Sequence, residues 1–98
     1  MKIMKNQNGN TLEIALEGRL DTTTAPDLEK ELKDNLNGVD ALTMDFAKLD
    51  YISSAGLRVL LSAHKAMSGK GGMKVKNVNE IVQEVFDVTG FADILTIE

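Results

Sequence analysis

Two hydroxyls stand side by side at Ser53 and Ser54, followed by Ala55 and Gly56 and then by the run Leu57–Leu61. A helix start needs only one of them. A serine at the N-cap accepts a hydrogen bond from an orphan backbone N–H, which is worth about 1 kcal/mol. Gly56 costs up to about 1 kcal/mol relative to alanine inside a helix, so it answers either to close packing or to a visitor that needs a bare backbone. The chemistry these residues can support is the acceptance of a phosphate. Free N–H groups and the macrodipole at a helix N-terminus favour an anion. A phosphoserine adds about −1.5 to −2 charges near neutral pH. The fold would tolerate that charge, whereas a partner docked on the small residues would meet a solvated dianion. That is a switch made by local electrostatics. Two readings stay open at this level, a structural cap and a functional surface.

The other reactive side chains do not assemble into a catalytic set. His64 is the only histidine. Ten residues of helix put it about 15 Å along the axis from Ser54, beyond proton-transfer reach. It falls on the apolar stripe and reads as a packed histidine. GxSxG is absent. "GKGG" (69–72) reads as a turn, since neither GxxxxGK[ST] nor GxGxxG is present. The carboxylates are scattered without metal-ligand spacing, and there is no cysteine. Neither catalysis, nor a metal, nor a cofactor is expected.

The elements that must position the serines follow from periodicity. Met1 and Ile3 alternate with Lys2, Asn8-Gly9 signals a hairpin, and "TLEIALEGRL" places Leu12, Ile14 and Leu16 on one face of a second strand ending near Leu20. Gly18 marks a bulge or a close backbone approach. "DTTTAPDLEKELKDNLNG" reads as a helix with Thr24 as N-cap, Pro26 in the first turn, and Leu28, Leu32 and Leu36 as its buried stripe. Glu29 and Lys33 can pair across one turn, and Gly38 stops the helix. "ALTMDFA" alternates as a third strand, and an apolar turn leads from it to the serines. The next helix turns Leu57, Leu60, Leu61, His64 and Met67 inward and Arg58, Ser62 and Lys65 outward. "SGKGG" ends it. "MKVKNV" is a fourth strand. "NEIVQEVFDVTG" is a third helix capped by Asn79, with Ile81, Val82, Val85 and Phe86 buried and Gly90 as the stop. "FADILTIE" favours a final helical turn or short helix.

The order is therefore ββαβαβα plus a C-terminal helical tail. It predicts an α/β fold: a mixed, four- to five-stranded sheet with helices on one face. The 98 residues suit a single domain over 1–98. Hydrophobic residues at 43% and charged ones at 27% are values of a soluble globular protein. A net charge of −4 disfavours nucleic acid and anionic membrane surfaces as partners. No apolar run approaches the roughly 20 residues that span a bilayer, and "MKIMKNQNGN" lacks the apolar stretch of a signal peptide. The chain reads as cytoplasmic.

"LEGRLDTTTAPDLEKEL", "LTMDFAKLDYISSAGLRVLL" and "VFDVTGFADILTI" together resemble the STAS domain family, specifically bacterial anti-sigma-factor antagonists. The resemblance covers nearly the whole chain and implies a partner-switching module. Unphosphorylated, such a protein binds an anti-sigma factor that is itself an ATP-dependent serine kinase. Phosphorylation at the switch helix ends the binding, and a metal-dependent serine/threonine phosphatase restores it. ATP and metal belong to those partners.

The family motif reads Asp-Ser-Ser/Thr-Gly-Leu, with the acceptor immediately before the glycine. Gapless matching sets Ser53 at the Asp, Ser54 at the first Ser and Ala55, which has no hydroxyl, at the usual acceptor position. The resemblance thus implies Ser54 as phosphoacceptor, one position back, with Ser53 second. The alternative is a constitutive binding module without phosphorylation. It further implies partner contacts at Asp21, Thr22, Ser53, Ala55, Gly56, Leu57 and Arg58, and it matches Asp45 to an acid ending the third strand. For Asp21 a turn carboxylate is the competing reading, and for Arg58 a solvated surface arginine.

Overall fold

Alternation at Leu12, Ile14 and Leu16 produces a strand with one dry face: each of the three is at most 1% exposed, while Glu13 and Ala15 between them are half-exposed. A computed structural model describing residues 1–98 places this strand, β2 (Thr11–Leu20), second in a five-stranded sheet. The order is β1 (Lys2–Asn8), β2, β3 (Ala41–Ile52), β4 (Met73–Lys76) and β5 (Thr96–Ile97). β1 pairs antiparallel with β2, and the later neighbours are all parallel. Helices α1 (Ala25–Asn35), α2 (Ser54–Met67) and α3 (Glu80–Thr89) make the three crossovers. Spatial order follows chain order, so right-handed crossovers all fall on the same side of the sheet. The core lies between that side and the helices, around Phe46, Phe86, Ile14, Leu28, Met44 and Leu60. The rings of Phe46 and Phe86 sit 6.4 Å apart. No helix is long and apolar enough to cross a membrane.

Several local expectations are corrected. The hairpin loop is Gly9-Asn10, with Asn8 still paired to Thr11 and Gly9 alone at positive φ (62°). There is no turn before the serines, because β3 runs on through Ile52, pairing Tyr51 with Arg19 and Ile52 with Leu20. Two register shifts against β2 make this possible, the second beside Gly18 at φ 105°. They turn Leu49 and Ile52 inward three residues apart and so erase the period-2 pattern on which the sequence reading relied. Asp45 consequently lies inside β3 rather than at its end.

On α2 the buried residues are Gly56, Leu57, Val59, Leu60, Ala63 and Met67, while Leu61 and His64 are half-buried. The helix packs on α1 as well as on the sheet, which swings its dry arc toward Val59 and Ala63. On α3 Val82 and Phe86 are buried, but Ile81 is 60% exposed. Asn79 caps α3 as expected, accepting from the Val82 N–H at 2.8 Å. Glu29 and Lys33 pair at 3.3 Å. The tail contains one 3-10 turn, Phe91–Asp93, and then β5, which pairs Thr96 and Ile97 with Lys74 and Val75. Its apolar residues at 95 and 97 were too few to show alternation.

Candidate functional site at the start of helix α2

The site begins where β3 stops. The Ser53 N–H donates to the Leu20 carbonyl at 2.9 Å, a last rung of the sheet. Ser53 is extended (φ −100°, ψ 176°) and stands at the N-cap position of α2. The first helical bond runs from the Leu57 N–H to the Ser53 carbonyl at 3.0 Å. The N–H groups of Ser54, Ala55 and Gly56 therefore precede the helical ladder and have no intrahelical acceptor. No acidic side chain stands in this first turn.

The two serines differ sharply. The Ser53 hydroxyl makes no capping bond and is buried without a partner. Ser54 is exposed at the first helical position. Gly56 is fully inside: a Cβ there would lie 2.7 Å from Leu20 Cγ and 2.9 Å from Ile52 Cγ1. Its bareness serves the crossing of α2 over the ends of β2 and β3, not an incoming visitor. Leu57 is likewise in the core at 5% exposure. Of the residues singled out for partner contact, Gly56 and Leu57 thus hold the site from beneath.

Thr22, Ala55 and Arg58 come together at the surface. With Ala25, Pro26, Glu29 and Val59 they line a depression of about 220 Å³ between the starts of α1 and α2. Arg58 is exposed and follows Ser54 by one helical turn, on the same face. Asp21 does not line the depression. Its Oδ1 accepts from the Thr23 hydroxyl (2.7 Å), the Thr23 N–H (3.0 Å) and the Thr24 N–H (3.2 Å). The Thr23 hydroxyl, aided by these backbone donors, holds the Asp21 carboxyl below the usual carboxylate range. Thr24, expected as a side-chain cap, instead donates its hydroxyl to the Arg19 carbonyl and accepts from the Asp21 N–H, both at 2.8 Å. The pair locks the β2–α1 turn and so presents Thr22. Asp45 accepts from the Asn77 amide at 3.0 Å and from the Ala47 N–H at 3.0 Å, and does not line the depression.

Sequence reasoning missed Pro26, Glu29 and Val59 in the depression, because the packing of α1 on α2 leaves no local mark. It also missed the stacking of Arg19 on Tyr51, 4.5 Å from guanidinium carbon to ring centroid, just ahead of Ser53. A cross-strand pairing of Arg19 with Tyr51 would have signalled it, but only a known register supplies that pairing. His64 sits ten residues along α2 with its Nδ1 buried and unpartnered.

A model of the STAS domain matches residues 2–98. The chain belongs to the STAS domain family. BtrV of Bordetella bronchiseptica, provisionally named an anti-sigma factor antagonist, is 34% identical over 99 residues, covering 99% of this chain and 85% of that protein. The anti-sigma-B factor antagonist of Bacillus subtilis is 30% identical over 92 residues, covering 93% of this chain and 84% of that protein. Among solved STAS structures, the anti-sigma factor antagonist SpoIIAA superposes in its unphosphorylated form with a TM-score of 0.77 at 16% identity, covering 99% of this chain and 87% of that one. The phosphorylated form from Bacillus gives 0.76 at 17% identity, covering 99% and 91%. This STAS domain thus groups with proteins named for regulation rather than for catalysis, and the resemblance read from its three segments holds along the chain.

Proposed function

We propose that this STAS domain is a cytoplasmic anti-sigma-factor antagonist that acts by binding rather than by catalysis. Unphosphorylated, it docks on an anti-sigma factor with serine kinase activity through Ser54 and the depression formed by Thr22, Ala55 and Arg58. Phosphorylation of Ser54 by that kinase releases it, and a serine/threonine phosphatase returns it to the binding state. The observation that carries this reading is the contrast between the two serines. Neither side chain caps α2, so the purely structural account of the pair loses its support. The exposed Ser54 hydroxyl stands where unpaired N–H groups and the positive helix end accept a phosphate. Arg58, one turn on, adds a cation on the same side. Ser53 is disfavoured as acceptor because its oxygen is enclosed.

Release follows from placing a dianion in a contact fitted to small side chains. Like-charge or desolvated-charge mismatches across an interface cost several kcal/mol, so phosphorylation should weaken binding by about 100-fold or more. The test is incubation with ATP and the cognate kinase, followed by peptide mapping by mass spectrometry and a binding titration. Phosphate on Ser54, its absence in Ser54→Ala, and persistent binding of Ser54→Ala are expected. No incorporation, or incorporation without loss of affinity, would replace this reading with a constitutive binding module.

A further inference from the structure

Residues 77–98 hold Glu80, Glu84, Asp87, Asp93 and Glu98 and neither lysine nor arginine. The chain as a whole carries −4, so this segment, formally −5, outweighs a remainder of +1. Glu98 is neutralised by Lys74 at 3.3 Å. The other four carboxylates take part in no ion pair. Beside them lie apolar residues that the core leaves wholly or partly uncovered. Val82 and Phe86 make the buried row of α3, while Ile81 is 60% and Val88 80% exposed and Val85 is half-buried. At about 3.6 residues per turn, Ile81, Val85 and Val88 (i, i+4, i+7) form a second apolar row next to the buried one. Glu80, Glu84 and Asp87 follow along its outer edge.

We propose that this face of α3 is a docking surface for a basic amphipathic helix of another protein. The apolar residues of that helix would cover Ile81, Val85 and Val88, and its lysines or arginines would meet Glu80, Glu84 and Asp87. The i, i+4, i+7 spacing is that of helix-on-helix recognition. Charge selects the occupant. A second copy of this chain would set the same acidic row against this one, and like charges across an interface oppose association. Nucleic acid and anionic lipid are repelled by the same sign. A basic helix alone both removes the apolar row from water and supplies the missing counter-charge. None of these residues lines the depression beside Ser54.

The test uses the full chain, isotope-labelled and titrated with a synthetic helical peptide carrying leucines on one face and lysines beside them. Two control peptides replace lysine by glutamate or scramble the order. The expected result is amide shift changes confined to residues 80–94 and binding only to the patterned lysine peptide. The Kd should rise at least about 10-fold in Ile81→Ser/Val88→Ser and several-fold in Glu84→Gln/Asp87→Gln. All four positions lie at the surface, and unchanged circular dichroism verifies that the variants fold. Absence of binding, equal binding of the scrambled peptide, shifts mapping to another face, or indifference to Ile81→Ser/Val88→Ser would overturn the proposal. A dimer in sedimentation that Val88→Ser dissociates would assign the face to a second copy and overturn it too.

Discussion

Gly56 has no room for a methyl group. The atoms a Cβ would strike belong to Leu20 and Ile52, which are 0% and 1% exposed and have nowhere to retreat. Overpacking of this kind costs about 1–3 kcal/mol, and the better helix propensity of alanine recovers up to about 1 kcal/mol. Gly56→Ala should therefore lower stability by about 1–2 kcal/mol, read as a reduced urea midpoint with unchanged slope. It should also weaken partner binding by tilting the start of α2. A neutral or stabilising result would mean that the helix already stands further from β2 and β3. Ser54 lies two residues before Gly56 in the same first turn of α2, so the packing that forbids a side chain at Gly56 also holds the backbone that carries the exposed hydroxyl.

α2 and α3 begin by different devices, and this difference is measurable. Asn79 uses both ends of its amide: Oδ1 accepts from the Val82 N–H at 2.8 Å and Nδ2 donates to the Leu49 carbonyl at 2.7 Å. Removing both in Asn79→Ala should cost about 1–2 kcal/mol. Ser53 occupies the same position on α2 with a hydroxyl that bonds to nothing. An enclosed, unsatisfied oxygen contributes no stability, so Ser53→Ala should change it by less than about 0.5 kcal/mol or raise it slightly. Thermal unfolding of the two variants side by side gives the comparison. A large loss in Ser53→Ala would restore the capping role to that serine. The start of α2 is fixed instead by the backbone rung from Ser53 to Leu20, which leaves the exposed Ser54 side chain free for other work.

Across the molecule, three carboxylates are held below their usual range. The Thr23 hydroxyl does this for Asp21, Lys5 at 2.9 Å for Glu31, and the Asn77 amide for Asp45, partial burial opposing each. A lowered folded pKa means that the unfolded chain binds more protons in the acid range. The stability these groups contribute is fully present above the unfolded carboxylate values near pH 4 and is lost as pH falls through the folded ones. Urea unfolding should thus give a free energy that declines below about pH 4.5. Asp45→Asn should flatten that decline, since the amide no longer titrates while it can still accept from the Ala47 N–H. A variant with an undiminished acid slope would show that Asp45 does not take part. The pairing with Asn77, which has φ 60°, also ties β3 to the loop that leads into α3.

Much of this architecture can be read from the chain in one dimension. Leu12, Ile14 and Leu16 mark a half-buried strand and Leu28 and Leu32 a helix stripe, with Leu36 half-buried at the C-cap just beyond it, because burial of one face is a local, periodic property. The serine pair before Ala55, Gly56 and Leu57 announces a helix start for the same reason. What only the tertiary structure decided depends on residues far apart in sequence. β3 reaches Ile52 because β2 lies beside it, and its two register shifts cancel the alternation that would have revealed it. Ile81 turns outward because Phe46 and its neighbours accept Val82 and Phe86 instead. Ser53 and Ser54, alike on paper, separate into an enclosed and an exposed hydroxyl through the Leu20 rung. Thr22 and Arg58 share a depression because α1 packs on α2. Such choices are made by contacts between elements, and a contact between distant elements leaves no period in either of them.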